Sequence, residues 1–224
     1  LKNGLPFMRK ILRSNLFRFF CGFFILALIF SCKTSAFSGL KNGDLLFVTA
    51  KNSGLSGAIN NVTQTQENAS FDHIGIVEKN QNGIFVLHAA PKGGSQKQAL
   101  KDFKKDQKAE GQKIVAYRLK PEYQNAIPEA LRKAHSLLGK PYNFEYILNE
   151  NSYYCSDFIE RSFREKHIFK LEPMTFTDPK TGKTNDYWQS FYDKKNLKVP
   201  EGELGCNPNG LAASDKLIRI GEIK

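Results

Sequence analysis

The stretch Asp72–Ala89, DHIGIVEKNQNGIFVLHA, decides the fold. Asp72–Glu78 and Ile84–Ala89 are β-branched and alternating, and Asn80-Gln81-Asn82-Gly83 between them is a hairpin signal. Side chains on a strand alternate faces with period two. An even number of loop residues makes the numbers of cross-strand partners sum to an odd value, so His73 and His88 project from one face. A two-residue loop at Asn80-Gln81 sets them directly opposite; a four-residue loop at 80–83 leaves them diagonal, roughly 7–8 Å apart by Cβ. An odd loop or a bulge would separate them. Gly75 shares their face and leaves room above the sheet, while Ile74 and Ile76 point the other way, into a core.

Downstream, Tyr153-Tyr154-Cys155-Ser156-Asp157 runs into a helical pattern. Phe158, Ile159, Ser162 and Phe163 fall on one face, with Glu160, Arg161, Arg164 and Glu165 on the wet side. Cys155 thus sits at the first turn, where unpaired N–H groups and the helix dipole stabilise a thiolate. The spacing fits a nucleophile and a buried core thiol equally. A cysteine nucleophile needs a base, and the base an orienting group. Of the four histidines, His135 and His167 read as solvated, whereas the hairpin relates His73 to His88. Adjacent Asp72 and His73 point to opposite faces, so three convergent metal ligands are not evident and no metal or cofactor is expected.

Around these segments the chain reads as α+β, an antiparallel sheet packed on helices. Asp44–Ala50 and Ile114–Leu119 are further strands, Leu55–Val62 is a short helix capped by Ser53 or Ser56, and Lys101–Gly111 is a charged, solvated helix or loop. Ile127–Leu138 is a helix with Pro128 in its first turn and Gly139 and Pro141 at its end. Residues 170–210, with the only tryptophan, Trp188, read as a decorated excursion over the domain. A composition 41% hydrophobic and 12% aromatic supports a globular core.

The N-terminus carries a targeting pattern. Arg9, Lys10, Arg13 and Arg18 precede an apolar run, Phe19–Phe30, too short to span a bilayer comfortably. Residues 1–31 read as a signal peptide, with Met8 as the start and 1–7 as upstream read-through. Leu28-Ile29-Phe30-Ser31-Cys32 resembles a lipobox, which makes Cys32 the lipidated N-terminus of a tether reaching residue 42. An ordinary signal peptide cut near Ser35-Ala36, or an uncleaved anchor, is the alternative. Residues 1–31 hold +5 of the formal net charge of +11, leaving a mildly basic remainder without an arginine-rich stripe. Nucleic acid is therefore not an expected partner. Cys155 and Cys206 are the thiols of the remaining domain, 43–224; two lone cysteines do not make a disulfide framework, and Cys206 reads as a small buried hydrophobe.

Gly43-Asp44-Leu45-Leu46-Phe47, Asp72-His73-Ile74-Gly75-Ile76-Val77, Leu87-His88-Ala89, Gly139-Lys140-Pro141-Tyr142-Asn143 and Tyr154-Cys155-Ser156, in this order, resemble the permuted papain-like cysteine hydrolases. These are a branch of the NlpC-type superfamily with YiiX-like proteins and, more distantly, lecithin:retinol acyltransferase, in which the histidine strand precedes the cysteine helix. The resemblance spans roughly residues 40–165 and implies a circularly permuted papain-like fold with an extension from about 170. It implies Cys155 as nucleophile, His73 as general base and His88 as the group that fixes the His73 ring. The Cys155 N–H would be one oxyanion donor and Tyr142 a second donor or a cleft wall; Ser156, with Asp157, caps the helix or lines the cleft entrance. The implied activity is amide hydrolysis of cell-wall peptides by an exported, lipid-anchored thiol enzyme. A lipid acyl hydrolase or acyltransferase, or a non-catalytic binding module of the same fold, is the alternative. A deep apolar cleft would favour acyl chains, and a polar one with a carboxylate would favour peptide amines.

Overall fold

The period-two pattern of the hairpin extends through a sheet in which every strand is antiparallel to its neighbours. The computed structural model describes residues 39–63 and 70–223, so the expected signal peptide and the expected lipidation site, Cys32, lie outside the described residues. In chain order the elements are β1 (Leu45–Thr49), α1 (Gly54–Thr63), β2 (Phe71–Asn80), β3 (Gly83–Ala90), β4 (Gly94–Ala99), α2 (Leu100–Ala109), β5 (Ile114–Leu119) and, after a 3-10 turn, α3 (Ile127–Ser136). Then follow α4 (Cys155–Phe163), β6 (Glu172–Pro173), α5 (Asp186–Asp193), β7 (Leu204–Gly205), α6 (Pro208–Ala212) and β8 (Leu217–Ile223). Six strands form one sheet in the order β4-β3-β2-β1-β5-β8.

β8 was not anticipated. The chain returns from the excursion, and Leu217–Ile223 pairs with β5 from Leu119↔Leu217 to Ile114↔Ile223. Its exposed Arg219 and Glu222 suit a sheet edge, where charge discourages pairing with another chain. The segment Lys101–Gly111 resolves as helix α2, which starts one residue earlier and lays fully buried Phe103 on the sheet.

Each sheet face has its own cover. Phe47, Ile74, Ile76 and Leu87 share one core cluster with Ala130 and Ala134 of α3 and with Phe158, Ile159 and Phe163 of α4. Burying such side chains contributes about 1.5–3 kcal/mol each. Asp44, fully buried, accepts from Arg118 Nε and Nη2 at 2.7 and 2.8 Å and ties β1 to β5. The glycine-aspartate pair before β1 thus has a structural role.

α4 departs from the amphipathic reading, since all nine of its residues are buried. Glu160 takes Arg164 as partner. Arg161 donates to Asp157 Oδ1 (2.6 Å), Glu150 Oε1 (2.6 Å) and the Asn149 carbonyl (2.9 Å). Charges here are internal because the helix is central, with α3 on one side and the excursion on the other; burial is tolerated because each charge is paired. Arg161 thereby clamps the loop that leads into Cys155.

The excursion packs through a second aromatic cluster of Tyr146, Tyr154, Phe176, Trp188 and Tyr192. Trp188 Nε1 donates to the Ala58 carbonyl at 3.2 Å, so α5 is pinned to α1.

Candidate active site

The hairpin register places the histidines. β2 and β3 pair from Asn80↔Gly83 to Ile76↔Leu87, across a two-residue turn at Gln81-Asn82. Partner numbers sum to an odd value, so His73 and His88 share a face in the diagonal register. The rings close the gap: His73 Nε2 lies 2.8 Å from His88 Nδ1. Gly75 permits this, because a Cβ there would stand 2.4 Å from Val86 Cγ1 and 3.2 Å from His88 Cβ. Phe103 closes the pair from above, stacked on His73 at 6.1 Å and edge-on to His88 at 5.2 Å.

Cys155 reaches the same strand through the backbone. The Val77 N–H bonds the Asp44 carbonyl at 2.8 Å, so by alternation the N–H and C=O of His73 face β1. The Asp72 carbonyl and the Ile74 N–H therefore face away from β1, towards β3. The β2–β3 ladder ends at Ile76↔Leu87, and in the opening beyond it Cys155 Sγ donates to the Asp72 carbonyl at 3.7 Å. A bulge shifts the register between Val48 and Thr49, so that Thr49 meets Phe71 and Asp72 is the extra residue. The thiol thus lies against the backbone that flanks His73, and its hydrogen bond goes to Asp72 rather than to the imidazole.

Burial pushes the Cys155 thiol up to about 12, and the charge of Asp72 adds to the effect. The N–H groups of Ser156 and Ile74 and the Tyr142 hydroxyl oppose it. The helix-mouth expectation of a thiolate is corrected here: desolvation outweighs the helix N-terminus. Burial also depresses both imidazoles, His73 well below its usual value and His88 to about 4. His73 retains some surface exposure even so. Both rings and the thiol are neutral at rest. Asp72 is raised by burial, against hydrogen bonds from Ser56 and Gln112.

Tyr142 is carried beside Cys155 by the strap that precedes α4. The Asn143 N–H bonds the Tyr153 carbonyl (3.0 Å) and the Tyr153 N–H bonds the Pro141 carbonyl (3.1 Å). Its hydroxyl faces both the backbone N–H and the thiol of Cys155, and burial raises it well above a phenol's usual range. Ser156 is buried, and its hydroxyl donates to the Cys206 carbonyl at 3.0 Å, tying helix to excursion. Tyr154, rather than Ser156 or Asp157, is the N-cap residue, and no side chain caps the helix. Cys206 is free, half-buried, and packs against both core clusters. Of the other histidines, His135 pairs with Glu78 Oε1 at 2.9 Å and His167 is exposed.

The thiol opens into a cavity of about 730 Å³. Ile59, Val62, Phe169, Met174, Trp188 and Leu211 wall it, with Tyr142, Tyr146 and Asp72 beside Cys155. The excursion, given no chemical role by the sequence reading, supplies much of this wall. Asp72, considered from the sequence only as a metal ligand and placed on the face opposite His73, also lines this cavity, at a bulge that leaves no mark in the strand pattern.

A family model described as permuted papain-like amidase enzymes of the YaeF/YiiX, C92 family matches residues 39–221. A crystal structure titled metalloprotein YiiX, from Escherichia coli O157:H7, superimposes with a TM-score of 0.62 at 20% identity, covering 80% of this chain and 96% of that one. No curated protein matches the sequence. Among the described residues of this chain, no group of three or more His, Cys, Asp or Glu side chains is placed to hold a metal ion.

Proposed function

Since the chain belongs to the permuted papain-like amidase family, we propose that it hydrolyses amide bonds through an acyl-enzyme on Cys155. One observation carries this reading: a thiol on a cavity floor, against the backbone that flanks a paired histidine.

The step begins from neutral partners. The thiol leaves the Asp72 carbonyl, and the His73 ring closes on it to take its proton at Nδ1, the nitrogen left over when Nε2 meets His88. As the proton moves to Nδ1, sulfur attacks the amide carbonyl carbon. The resulting oxyanion takes the Cys155 N–H and the Tyr142 hydroxyl as donors. The imidazolium then protonates the amide nitrogen, the C–N bond breaks, and the amine leaves. Water deprotonated by His73 attacks the thioester, releasing the acid and restoring the thiol. His88 holds the ring throughout, with weaker charge stabilisation than a carboxylate would give.

The cavity wall supports an apolar acyl half, so a lipid-like acyl amide answers it better than a stem peptide does. Cell-wall peptide is the second reading, favoured by the basic surplus of the chain and by the carboxylates Asp72, Glu172 and Asp215, which line the cavity together with Lys170 and Lys216 and suit a peptide amine. Placement at the cell envelope, through a signal peptide and lipid on Cys32, is proposed from the N-terminal sequence. The test is a product comparison by mass spectrometry. Protein and its Cys155→Ala variant are incubated with muropeptides and with membrane lipids. Fatty acid or an exchanged acyl chain made only by the intact protein supports the first reading, new peptide fragments the second. Identical products from both proteins would dismiss the hydrolase and leave a binding module.

A further inference from the structure

A shared hydrogen bond between two neutral imidazoles has two forms, and only one gives a base. If His73 Nε2–H donates to His88 Nδ1, His73 Nδ1 bears a lone pair. If His88 Nδ1–H donates instead, His73 Nδ1 carries a proton and cannot accept one from Cys155. The 2.8 Å contact is compatible with both forms. The far nitrogen of His88 decides between them. His88 is 2% exposed, and its Nε2 is buried without a hydrogen bond that closes in this geometry.

The strand register brings the side chain of Gln98 to the face that carries His88. β3 and β4 pair Val86↔Gln98 and His88↔Gln96, so Gln98 stands diagonal to His88 on the same face. Gln98 Nε2 donates to Asp106 Oδ2 at 2.7 Å. Its amide is thus turned with nitrogen to the carboxylate, leaving Oε1 to accept. Gln98 also favours the protonated form of His88, as an acceptor does, and the charge of Asp106 acts in the same direction. Asp106 lies one turn beyond Phe103 on α2, so one helix closes over both histidines and orients the amide.

We propose that Gln98 and Asp106 are positioning residues that set the tautomers of His88 and His73. Asp106 orients the Gln98 amide; Gln98 Oε1 takes His88 Nε2–H; His88 Nδ1 accepts from His73 Nε2–H; His73 Nδ1 is left as the base. No proton leaves the chain at rest, and none has to pass beyond His73 during the reaction. The inference rests on the hydrolase reading for its purpose, though not for its geometry.

The test is the tautomer itself, read from ring ¹⁵N shifts and couplings in full-length protein labelled with ¹⁵N-histidine. Wild type is expected to show Nε2–H on both His73 and His88. Gln98→Met should shift both towards a mixture of tautomers and lower kcat at least roughly tenfold with KM little changed; a wholly wrong tautomer costs a serine triad about 10⁴. Gln98→Glu, which retains an acceptor, should keep the wild-type tautomers. Asp106 is exposed, so Asp106→Ala tests the outer link should Gln98→Met fail to fold, and a partial shift is expected. Wild-type tautomers persisting in both Gln98→Met and Asp106→Ala, or in Asp106→Ala alone where Gln98→Met does not fold, would overturn the relay. Tautomers that respond as expected in a protein without hydrolase activity would uphold the relay and remove the hydrolase reading.

Discussion

The Sγ of Cys155 hydrogen-bonds the carbonyl of Asp72 at 3.7 Å, one residue before the histidine proposed as its base. A thiol held by a backbone acceptor keeps its proton, and burial reinforces this by pushing it up to about 12. The resting site is therefore a neutral thiol beside neutral imidazoles, and activation belongs to the encounter with substrate.

Alkylation should report this state. The pH–rate profile of iodoacetamide labelling at Cys155 in the free protein is expected to rise with an apparent pKa well above the ~8.5 of an ordinary thiol. Labelling near pH 7 should be slower than that of free cysteine. A midpoint below 8 would mean a resting thiolate–imidazolium pair.

Stability should depend on pH through the buried histidines. His88 titrates near 4 in the folded protein against 6.5 ordinarily, so between these values the unfolded chain binds a proton that the folded chain refuses. Its contribution is complete above pH 6.5 and is lost as pH falls through 4, on the order of 3 kcal/mol. Asp157, raised to about 6 by burial, runs the other way. The difference between wild type and His88→Asn in urea unfolding at pH 7.5 and 4.5 reports His88 together with its effect on His73. Wild type should lose more on acidification, and equal losses would contradict the burial argument.

Gly75→Ala places a methyl 2.4 Å from Val86 Cγ1 and 3.2 Å from His88 Cβ. Overpacking of this kind costs typically about 1–3 kcal/mol. A thermal melt should show the loss, and activity should fall further than stability because His88 is displaced. Unchanged activity in a folded variant would argue against any part for the histidine pair.

Tyr142→Phe removes one of the two donors assigned to the oxyanion. Loss of one such donor costs roughly 10²–10³ in kcat. The fold should survive, since the aromatic ring and its strap contacts remain. A variant with full kcat would reduce Tyr142 to a cleft wall.

What could be read from residues alone follows from what is periodic. The shared face of His73 and His88 came from parity, which survives a turn placed one residue away from the two-residue alternative. Cys155 at a helix start came from the apolar spacing after it. Harder to see were features set by tertiary packing. Asp72 reaches the cleft through a bulge. Gln98 and Asp106 sit in a lysine-rich stretch whose one informative residue, Phe103, is hidden among charges. Glu160 and Arg161 read as a wet face because their burial depends on partners at other positions, Arg164, Asp157 and Glu150. β8 has alternation enough to be found, but it follows forty residues of excursion in which no regular pattern prepares for it.

Capture of the acyl-enzyme tests the central claim most directly. The protein is mixed with an activated acyl amide, quenched in acid within the first turnover, and digested for peptide mass mapping. The account expects an acyl mass increment on the peptide bearing Cys155, labile to hydroxylamine as a thioester is, and absent from Cys155→Ala and His73→Ala. Turnover of the amide with no increment on Cys155, or equal turnover by Cys155→Ala, would contradict it.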